Sequence, residues 1–409
     1  MSEKLVNPSK RQWIMLVILT VAASIPPFLM YCYVTQSEFI MTKYALNYTQ
    51  WAALGTSYSI ACGAGLFIVR MLVKRFGCKL FIMTGIFLMI LAHVIFLLAP
   101  DFEILLIARF VSGFGNACIY NAIYTLAVLW FQDTNRVGVA AGAMTAADGI
   151  GTFAALYLYA LLIGSLGWDK GSIYSIVIMA VLLVLLQIFL KNAPASAANE
   201  TAAGNDKLDK YTNVMNRNTI AHSLAVSGVL GGLGLANFWG PTILIEQGMS
   251  SATAGLLSSL FTAVGIFSGL IFGGISDKFG KRKPPMLIGG IGMVISYVLL
   301  IFGNVSENTA VFTLALMICG FCGYIVYPIG FALISDTVCT KALAASNGVI
   351  QGSSFLIGLM AYQQIVGIIK DVTETYWIGF AVCAVLTLLL NVIAVIVFAK
   401  DKDVQSMYI

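Results

Sequence analysis

Long apolar runs separated by short polar segments dominate the hydropathy pattern of the chain. A helix that crosses a lipid bilayer needs about 20 apolar residues, and twelve runs are close to that length. Strands of a membrane barrel would alternate in hydrophobicity over about 10 residues, and the sequence shows no such alternation. The pattern predicts membrane-spanning helices over residues 13–38, 50–72, 79–99, 103–130, 138–164, 171–190, 220–245, 253–275, 285–303, 309–334, 343–369 and 375–399.

The composition agrees with this pattern, because 59% of the 409 residues are hydrophobic and only 10% are charged. A soluble domain has about 45–50% apolar and about 25% charged residues. These values exclude a water-soluble enzyme, a nucleic-acid-binding protein and a secreted disulfide scaffold. The sequence has only two histidines, too few for a histidine-rich metal site. It also lacks a glycine-rich phosphate-binding loop, which argues against ATP-driven transport. We therefore expect no enzyme activity, no cofactor and no metal.

The positive charges predict the orientation in the membrane. With both chain ends in the cytoplasm, all but four of the 23 Lys and Arg residues lie in cytoplasmic segments. The exceptions are Lys43, Lys170 and Lys370 outside, and Arg109 within a span. Positive residues favour the cytoplasmic side, so we expect both termini there. The first apolar run is too long for a cleaved signal peptide, and the short outer loops are typical of a multi-pass protein of a bacterial-type inner membrane.

A polar segment divides the chain into two parts. Residues 191–218 are rich in Ala, Asn, Lys and Asp, which is typical of a flexible linker. We expect it to lie in the cytoplasm between two six-helix halves, residues 1–190 and 219–409.

The two halves also share sequence features at similar offsets. The loop at 74–79 (KRFGCK) resembles the loop at 277–282 (DKFGKR), 203 residues later. The glycines at 113–115 correspond to those at 320–323 with an offset of 207, and Glu38 corresponds to Glu246 with an offset of 208. These offsets indicate an internal duplication, a common transporter design in which the binding site lies between the repeats. The sequence thus predicts an all-α integral membrane protein with twelve helices in two pseudo-symmetric halves.

Three segments resemble signatures of the major facilitator superfamily. Residues 273–283 are similar to its loop signature G-x-x-x-D-R/K-x-G-R/K-R/K, and residues 109–115 resemble its fourth-helix signature R-x-x-x-G-x-G. Residues 130–142 resemble the W-F-x(4)-R-x(5)-G junction of its organic-anion branches. With the twelve runs and the linker, the resemblance covers nearly the whole chain. It implies a secondary transporter that works by alternating access.

The same resemblance implies a gate in the cytoplasmic loops. In the family the loop aspartate latches the outward-facing state, and Asp277 keeps that group in the second half. The first half departs from the pattern because Lys74 stands where the family has aspartate, which puts a latch there in doubt. The alternative is that these basic residues only set the topology. The residues expected to gate are Asp277, Lys278, Gly273, Gly280, Lys74 and Arg75.

Three ionisable residues lie inside the predicted spans, where a charge costs at least about 2.5–3.5 kcal/mol. Arg109 is expected to bind an anionic group of the substrate, since its planar donors suit a carboxylate. Asp148 is expected to carry a coupling proton. The two residues lie on neighbouring helices, so a fixed structural ion pair is the alternative. His93 is either a proton relay or a packed histidine.

Prolines in matching spans indicate where the helices are interrupted. Pro26 and Pro27 fall in the first run, and Pro241 follows Gly240 in the seventh. Proline bends a helix and frees carbonyl groups, and matching interruptions in two halves indicate a binding site. Polar and aromatic residues cluster around these positions and on the fourth, tenth and eleventh runs. The expected substrate-binding residues are Arg109, Tyr31, Gln36, Tyr120, Tyr124, Asn237, Trp239, Tyr327, Asn347 and Gln351.

The sequence therefore favours a secondary transporter that moves a small organic anion, such as a monocarboxylate, together with a proton. An anion exchanger is one alternative, and a proton-antiport drug or toxin exporter is another. The fifth run lacks the Gly-Pro ending typical of such exporters, which argues against that function. A solute sensor of the same fold would need a partner domain or a long tail. The expected partners are a small-molecule substrate, protons and the lipid bilayer, but no nucleic acid, and we expect a monomer.

Overall fold

The computed structural model describes residues 7–132, 134, 136–193, 214–279, 281–337 and 340–400. Within these residues, twelve helices are long and apolar enough to cross a membrane, and they confirm the twelve predicted spans. We number them α1 to α12 in chain order. Their spans are Lys10–Lys43, Tyr48–Val69, Cys78–Leu98, Phe102–Phe131, Gly142–Leu166, Trp168–Phe189, Arg217–Glu246, Ser251–Gly269, Lys283–Val305, Thr309–Ile334, Ser346–Thr373 and Trp377–Phe398.

Three helices continue a few residues beyond the apolar runs that the sequence predicts, which end at residues 72, 275 and 334. The helix of α2 runs over Tyr48–Phe76, that of α8 over Ser251–Phe279 and that of α10 over Thr309–Thr337. Backbone hydrogen bonds continue into polar sequence, whereas a hydropathy pattern ends where the charges begin. Hydropathy therefore marks the membrane-embedded part of a helix rather than its end.

The interruption of α1 lies later than the prolines predict. The first helix runs over Lys10–Tyr31 with Pro26 and Pro27 inside it. A short 3₁₀ segment follows at Val34–Gln36, and the helix resumes at Ser37–Lys43. The prediction that Pro26 and Pro27 interrupt this helix is thus wrong at their position, because the helix continues through both prolines to Tyr31.

The interruption of α7 is also shifted from its prediction at Gly240. The five residues that directly precede Gly240, Leu235–Trp239, form a π-helical segment. Further π segments lie in α5, α11 and α12, at Ala154–Leu158, Ser354–Leu359 and Leu388–Ile393. At the offset of 208 residues, the 3₁₀ segment of α1 corresponds to residues 242–244, which belong to the regular helix after the π segment of α7. The irregular parts of α1 and α7 are therefore not equivalent, and the prediction of matching interruptions is not confirmed.

The packing of the helices follows the same duplication. In the first half, α1 packs against α4 and α5, α2 against α4, and α3 against α4 and α6. The second half repeats these contacts, with α7 against α10 and α11, α8 against α10, and α9 against α10 and α12. Between the halves, α2 packs on α11 and α5 packs on α8. Exchanging the halves converts one of these interfaces into the other, as expected for a pseudo-twofold arrangement.

The repeated glycines mark close backbone contacts. A Cβ atom at Gly113 of α4 would lie 2.9 Å from the Cα of Tyr58 on α2, and one at Gly320 of α10 would lie 3.0 Å from the Cα of Phe261 on α8. Ordinary carbon contacts are about 3.5–4.0 Å. Only glycine therefore permits these helices to approach so closely.

A lysine caps the last helix of each half. Lys79, at the start of α3, donates from Nζ to the carbonyl oxygen of Gln187 in α6 at 2.8 Å. Lys283, at the start of α9, donates from Nζ to the carbonyl of Ile396 in α12 at 2.9 Å. A cation at a helix C-terminus satisfies free carbonyls and opposes the helix dipole. The linker itself stays a prediction, because residues 194–213 lie outside the described residues.

Candidate functional site

A central cavity of about 90 Å³ lies between the two halves, and α1, α2, α4 and α5 face α7, α10 and α11 across it. A buried water needs on the order of 10–15 Å³ by this measure, so the cavity has room for several water molecules in this conformation. Its wall is mostly apolar, with aromatic rings that carry hydroxyl groups. The tyrosines that line it are Tyr31, Tyr58, Tyr120, Tyr124, Tyr324 and Tyr327.

Two of these tyrosines join the halves. The hydroxyl groups of Tyr120 on α4 and Tyr327 on α10 are 3.0 Å apart, within hydrogen-bonding distance. Gln351 on α11 donates from Nε2 to the Tyr327 hydroxyl at 2.8 Å. The two tyrosines are 207 residues apart, the offset that also relates Gly113 to Gly320. They are therefore equivalent positions that meet near the pseudo-twofold axis.

Among the described residues that line the cavity, Asp148 is the only one of the types Asp, Glu, Lys, Arg and His. It lies on α5 and is partly exposed to the cavity. Within the described part of the chain, no hydrogen bond or ion pair holds its carboxylate. Thr145, one turn earlier on the same helix, also lines the cavity.

Arg109 is fixed by backbone carbonyl groups rather than by a carboxylate. Its side chain is 4% exposed. It donates from Nε to the oxygen of Leu54 at 3.3 Å, from one terminal nitrogen to Leu29 at 3.3 Å and from the other to Met30 at 3.0 Å. The first helical segment ends at Tyr31, and the last carbonyls of a helix lack intrahelical partners. Arg109 supplies donors to two of these carbonyls.

The guanidinium also lies between two tyrosine rings and behind the cavity wall. Its central carbon is 4.4 Å from the ring centre of Tyr33 and 4.7 Å from that of Tyr58. Tyr58 and Met30 contact Arg109 and line the cavity, but Arg109 does not line it. Its described contacts include no ion pair with Asp148. The ion pair that was the alternative for Arg109 and Asp148 is therefore not formed in this conformation, because backbone carbonyls take the donors of Arg109.

His93 lies among packed side chains away from the central cavity. It is 7% exposed. Its Nε2 is 3.1 Å from the hydroxyl of Ser175, and its Nδ1 is 4.0 Å from the thiol sulfur of Cys32. This placement favours the packed histidine over the proton relay.

Some of the other expected substrate residues line the cavity, and some do not. Tyr31, Tyr120, Tyr124 and Tyr327 line the cavity. Trp239 and Asn237 lie in the π segment of α7 and are fully buried, and Trp239 donates from Nε1 to the carbonyl of Gln363 at 3.1 Å. The remaining three lie apart from the lining: Gln36, which borders a groove at the outer end of α1, Asn347, which is half-buried on α11, and Gln351, which donates to the Tyr327 hydroxyl.

Sequence reasoning missed Tyr58 and Thr145, which line the cavity. A signal for each exists in the sequence. Tyr58 is an aromatic residue with a polar tip within the second apolar run, and such residues favour positions where one end meets a polar environment. Thr145 precedes Asp148 by three residues, which places both on one face of α5.

The predicted cytoplasmic gate lies largely outside the described residues. Gly280 is not described, and neither are the side chains of Lys74 and Asp277. Gly273 and Lys278 belong to the helix of α8, where Lys278 is exposed, and the Arg75 guanidinium lies 5.4 Å from the ring centre of Phe76. The gating role of these residues stays a prediction.

Twelve membrane-crossing helices in two halves around a central, mostly apolar cavity that contains one carboxylate are typical of a membrane transporter. The sequence profile of the Major Facilitator Superfamily matches residues 13–362 and 224–406. The chain therefore belongs to the Major Facilitator Superfamily, whose members are transporters and not enzymes.

Relatives match over different lengths. A protein of Archaeoglobus fulgidus is 28% identical over 34% of this chain, and the chain covers 64% of it. An MFS-type transporter of Schizosaccharomyces pombe is 30% identical over 32% of this chain and 29% of its own length. YcxA, an MFS-type transporter of Bacillus subtilis (strain 168), is 24% identical over 85% of this chain and 86% of its own length.

Solved structures show the same fold. A bacterial homolog of the human lysosomal transporter Spinster, in an inward-facing and unoccupied conformation, has a TM-score of 0.76 at 14% identity, over 97% of this chain and 99% of that chain. The nucleoside transporter NupG has a TM-score of 0.73 at 16% identity, over 93% and 100%. At these identities the likeness concerns the fold alone.

Proposed function

We propose that this protein is a proton-coupled secondary transporter for a small, partly apolar organic anion, in which Asp148 carries the proton. The observation that carries the proposal is the placement of Asp148 in the cavity without a hydrogen bond or ion pair from a described residue. We further propose that the protein acts as a monomer in a bacterial-type inner membrane with both termini in the cytoplasm.

An unpaired charge in an apolar site costs free energy. Asp148 can avoid that cost by binding a proton or by meeting water. The state of its carboxylate therefore changes how readily the cavity closes around its contents. A group with these properties is suited to couple proton movement to a change of conformation.

The charge around the cavity supports transport of an anion together with the proton. Arg109 contributes one positive charge behind the wall formed by Met30 and Tyr58. An ionised Asp148 balances that charge, whereas a protonated Asp148 leaves it uncompensated. A monoanion is then stabilised only when the proton is also bound, which is the requirement for symport.

Exchange of an organic cation for a proton is the second candidate. No Lys, Arg or His belongs to the described lining, while six tyrosines and Asp148 do. Aromatic faces and a carboxylate both attract a cation. In this case the cation and the proton compete for Asp148 and move in opposite directions.

Proton flux in proteoliposomes distinguishes the two. A series of monocarboxylates and a series of lipophilic monocations are added outside vesicles that contain a pH-sensitive dye. Symport with an anion acidifies the lumen beyond the level of protein-free vesicles, whereas antiport with a cation makes the lumen alkaline.

Asp148→Asn is expected to abolish either proton flux but to retain counterflow exchange of labelled solute. Asp101→Asn is the matched control, because Asp101 caps the start of α4 far from the cavity lining. Proton flux that survives in Asp148→Asn would show that Asp148 is not the proton site. Exchange without proton flux in the unchanged protein would instead support the anion exchanger.

A further inference from the structure

The start of α2 and the end of α11 belong to different halves and meet on the side of the membrane opposite the chain ends, here called the outer side. The carboxylate of Asp371 on α11 accepts hydrogen bonds from the backbone N–H groups of Tyr48 at 2.9 Å and Thr49 at 2.7 Å. These are the first two N–H groups of α2, which have no acceptor within their own helix. A carboxylate there also opposes the helix dipole.

More contacts between the halves surround this carboxylate. Gln364 on α11 donates from Nε2 to the carbonyl of Thr49 at 3.3 Å and accepts a hydrogen bond from the Thr56 hydroxyl at 2.9 Å. One turn further along α11, a Cβ at Gly367 would lie 2.6 Å from the carbonyl oxygen of Tyr48. The two helices are therefore in backbone contact at the level of the Asp371 bonds.

At two other described helix starts, the residue that caps the helix comes from the same half as the helix. The backbone N–H of Thr253 near the start of α8 donates to Ser250 of the same half at 3.2 Å. That of Ile104 near the start of α4 donates to Asp101 of its own half at 3.0 Å. Both caps stay within one half and do not depend on how the halves are arranged. The Asp371 bonds do depend on it, because α2 and α11 must remain together.

We propose that Asp371 is a positioning residue of the transport cycle that holds the outer side closed by capping α2 from the other half. Alternating access requires α2 and α11 to separate on the outer side when the cavity opens there. Both Asp371 bonds are then lost to water. A contact present in only one state shifts the population toward that state.

The test measures access to the contact face from outside. Ser59 of α2 is fully buried and shares a helix face with Gly55 and Gly63, which pack on α11. Ser59→Cys, nearly isosteric, thus reports separation of the helices. Intact cells that express this variant are treated with a membrane-impermeant maleimide, and the same protein without Ser59→Cys supplies the background from the eight native cysteines. Inverted vesicles give the reverse orientation.

In this background, Asp371→Asn is expected to raise the labelling rate from outside about fivefold, the factor that about 1 kcal/mol supplies. Asp371→Glu, which restores a carboxylate, is expected to return the rate toward that of the unchanged residue. Asp101→Asn makes the same chemical change at a cap within one half and is expected to leave the rate unchanged.

An unchanged rate in Asp371→Asn would overturn the proposal. An equal rise in Asp371→Asn and Asp101→Asn would also overturn it, because that result indicates general loosening of the helices. If Asp371→Asn does not reach the membrane, Asp371→Ser replaces it, and the same rise in labelling rate from outside is expected.

Discussion

Gly113→Ala is expected to destabilise the fold because it places a methyl group between α2 and α4. The added Cβ would lie 2.9 Å from both the carbonyl carbon and the Cα of Tyr58, and closer still to its oxygen. Backbone atoms cannot rotate away as a flexible side chain can. The two helices must therefore move apart by several tenths of an ångström, and Tyr58 moves with them.

The magnitude follows by comparison with a glycine in open space. Overpacking of a tight interior costs about 1–3 kcal/mol. Gly142→Ala on α5 adds the same methyl group, but apart from the neighbouring backbone of its own helix no described atom lies within 4 Å of it. The gain in helix propensity from glycine to alanine, about 1 kcal/mol, is common to both variants. The difference between them should therefore be about 1–3 kcal/mol, with Gly113→Ala the less stable.

Unfolding of the purified variants in mixed detergent micelles, followed by tryptophan fluorescence, measures this difference. Gly320→Ala should behave like Gly113→Ala, since its Cβ would lie 2.8 Å from the carbonyl carbon of Phe261. Equal stability of Gly113→Ala and Gly142→Ala would refute the close packing of α2 and α4. A large loss in only one of Gly113→Ala and Gly320→Ala would refute the equivalence of the two contacts.

Two further predictions concern the polar contacts of the site. Arg109→Lys keeps the charge but lacks the planar donors that reach three carbonyl oxygens, so we expect a loss of about 2 kcal/mol in the free energy of unfolding; an unchanged melting temperature would contradict this role. Tyr120→Phe and Tyr327→Phe each remove the hydroxyl bond at the axis, so a double-mutant cycle should give a coupling energy of about 1 kcal/mol. A coupling energy near zero would show that the bond adds nothing to stability.

The sequence could predict the twelve helices because the signal is local. Each span needs only enough consecutive apolar residues to match the bilayer, and the charges that end it lie beside it in the chain. The interruptions were harder to place. Pro26 and Pro27 are tolerated within the first helix, and the break after Tyr31 carries no proline. Packing against other helices, which hydropathy does not encode, decides where such a break falls.

The site was only partly predictable for a related reason. The sequence correctly marks Arg109 as an unusual buried group, since a charge within an apolar run is costly. It does not reveal the carbonyls that satisfy this charge, because Leu54 and Met30 look like ordinary apolar residues. Which face of a helix meets the cavity also depends on its rotation. Tyr31 and Tyr120 face the cavity, whereas the equally plausible Trp239 is turned into the packing around Gln363.

The duplication has a consequence for how a solute lies in the cavity. The offset of 207 residues that relates Tyr120 to Tyr327 also relates Asp148 to Phe355, and both of these residues line the cavity. Equivalent positions thus carry a carboxyl group in one half and an aromatic ring in the other. Among the six tyrosines of the described lining, Tyr120 and Tyr327 are the equivalent pair, and the pair of Asp148 and Phe355 places a carboxyl group on one side of the cavity and a hydrocarbon ring on the other. For the partly apolar solute proposed above, we therefore expect the polar end to lie toward the first half.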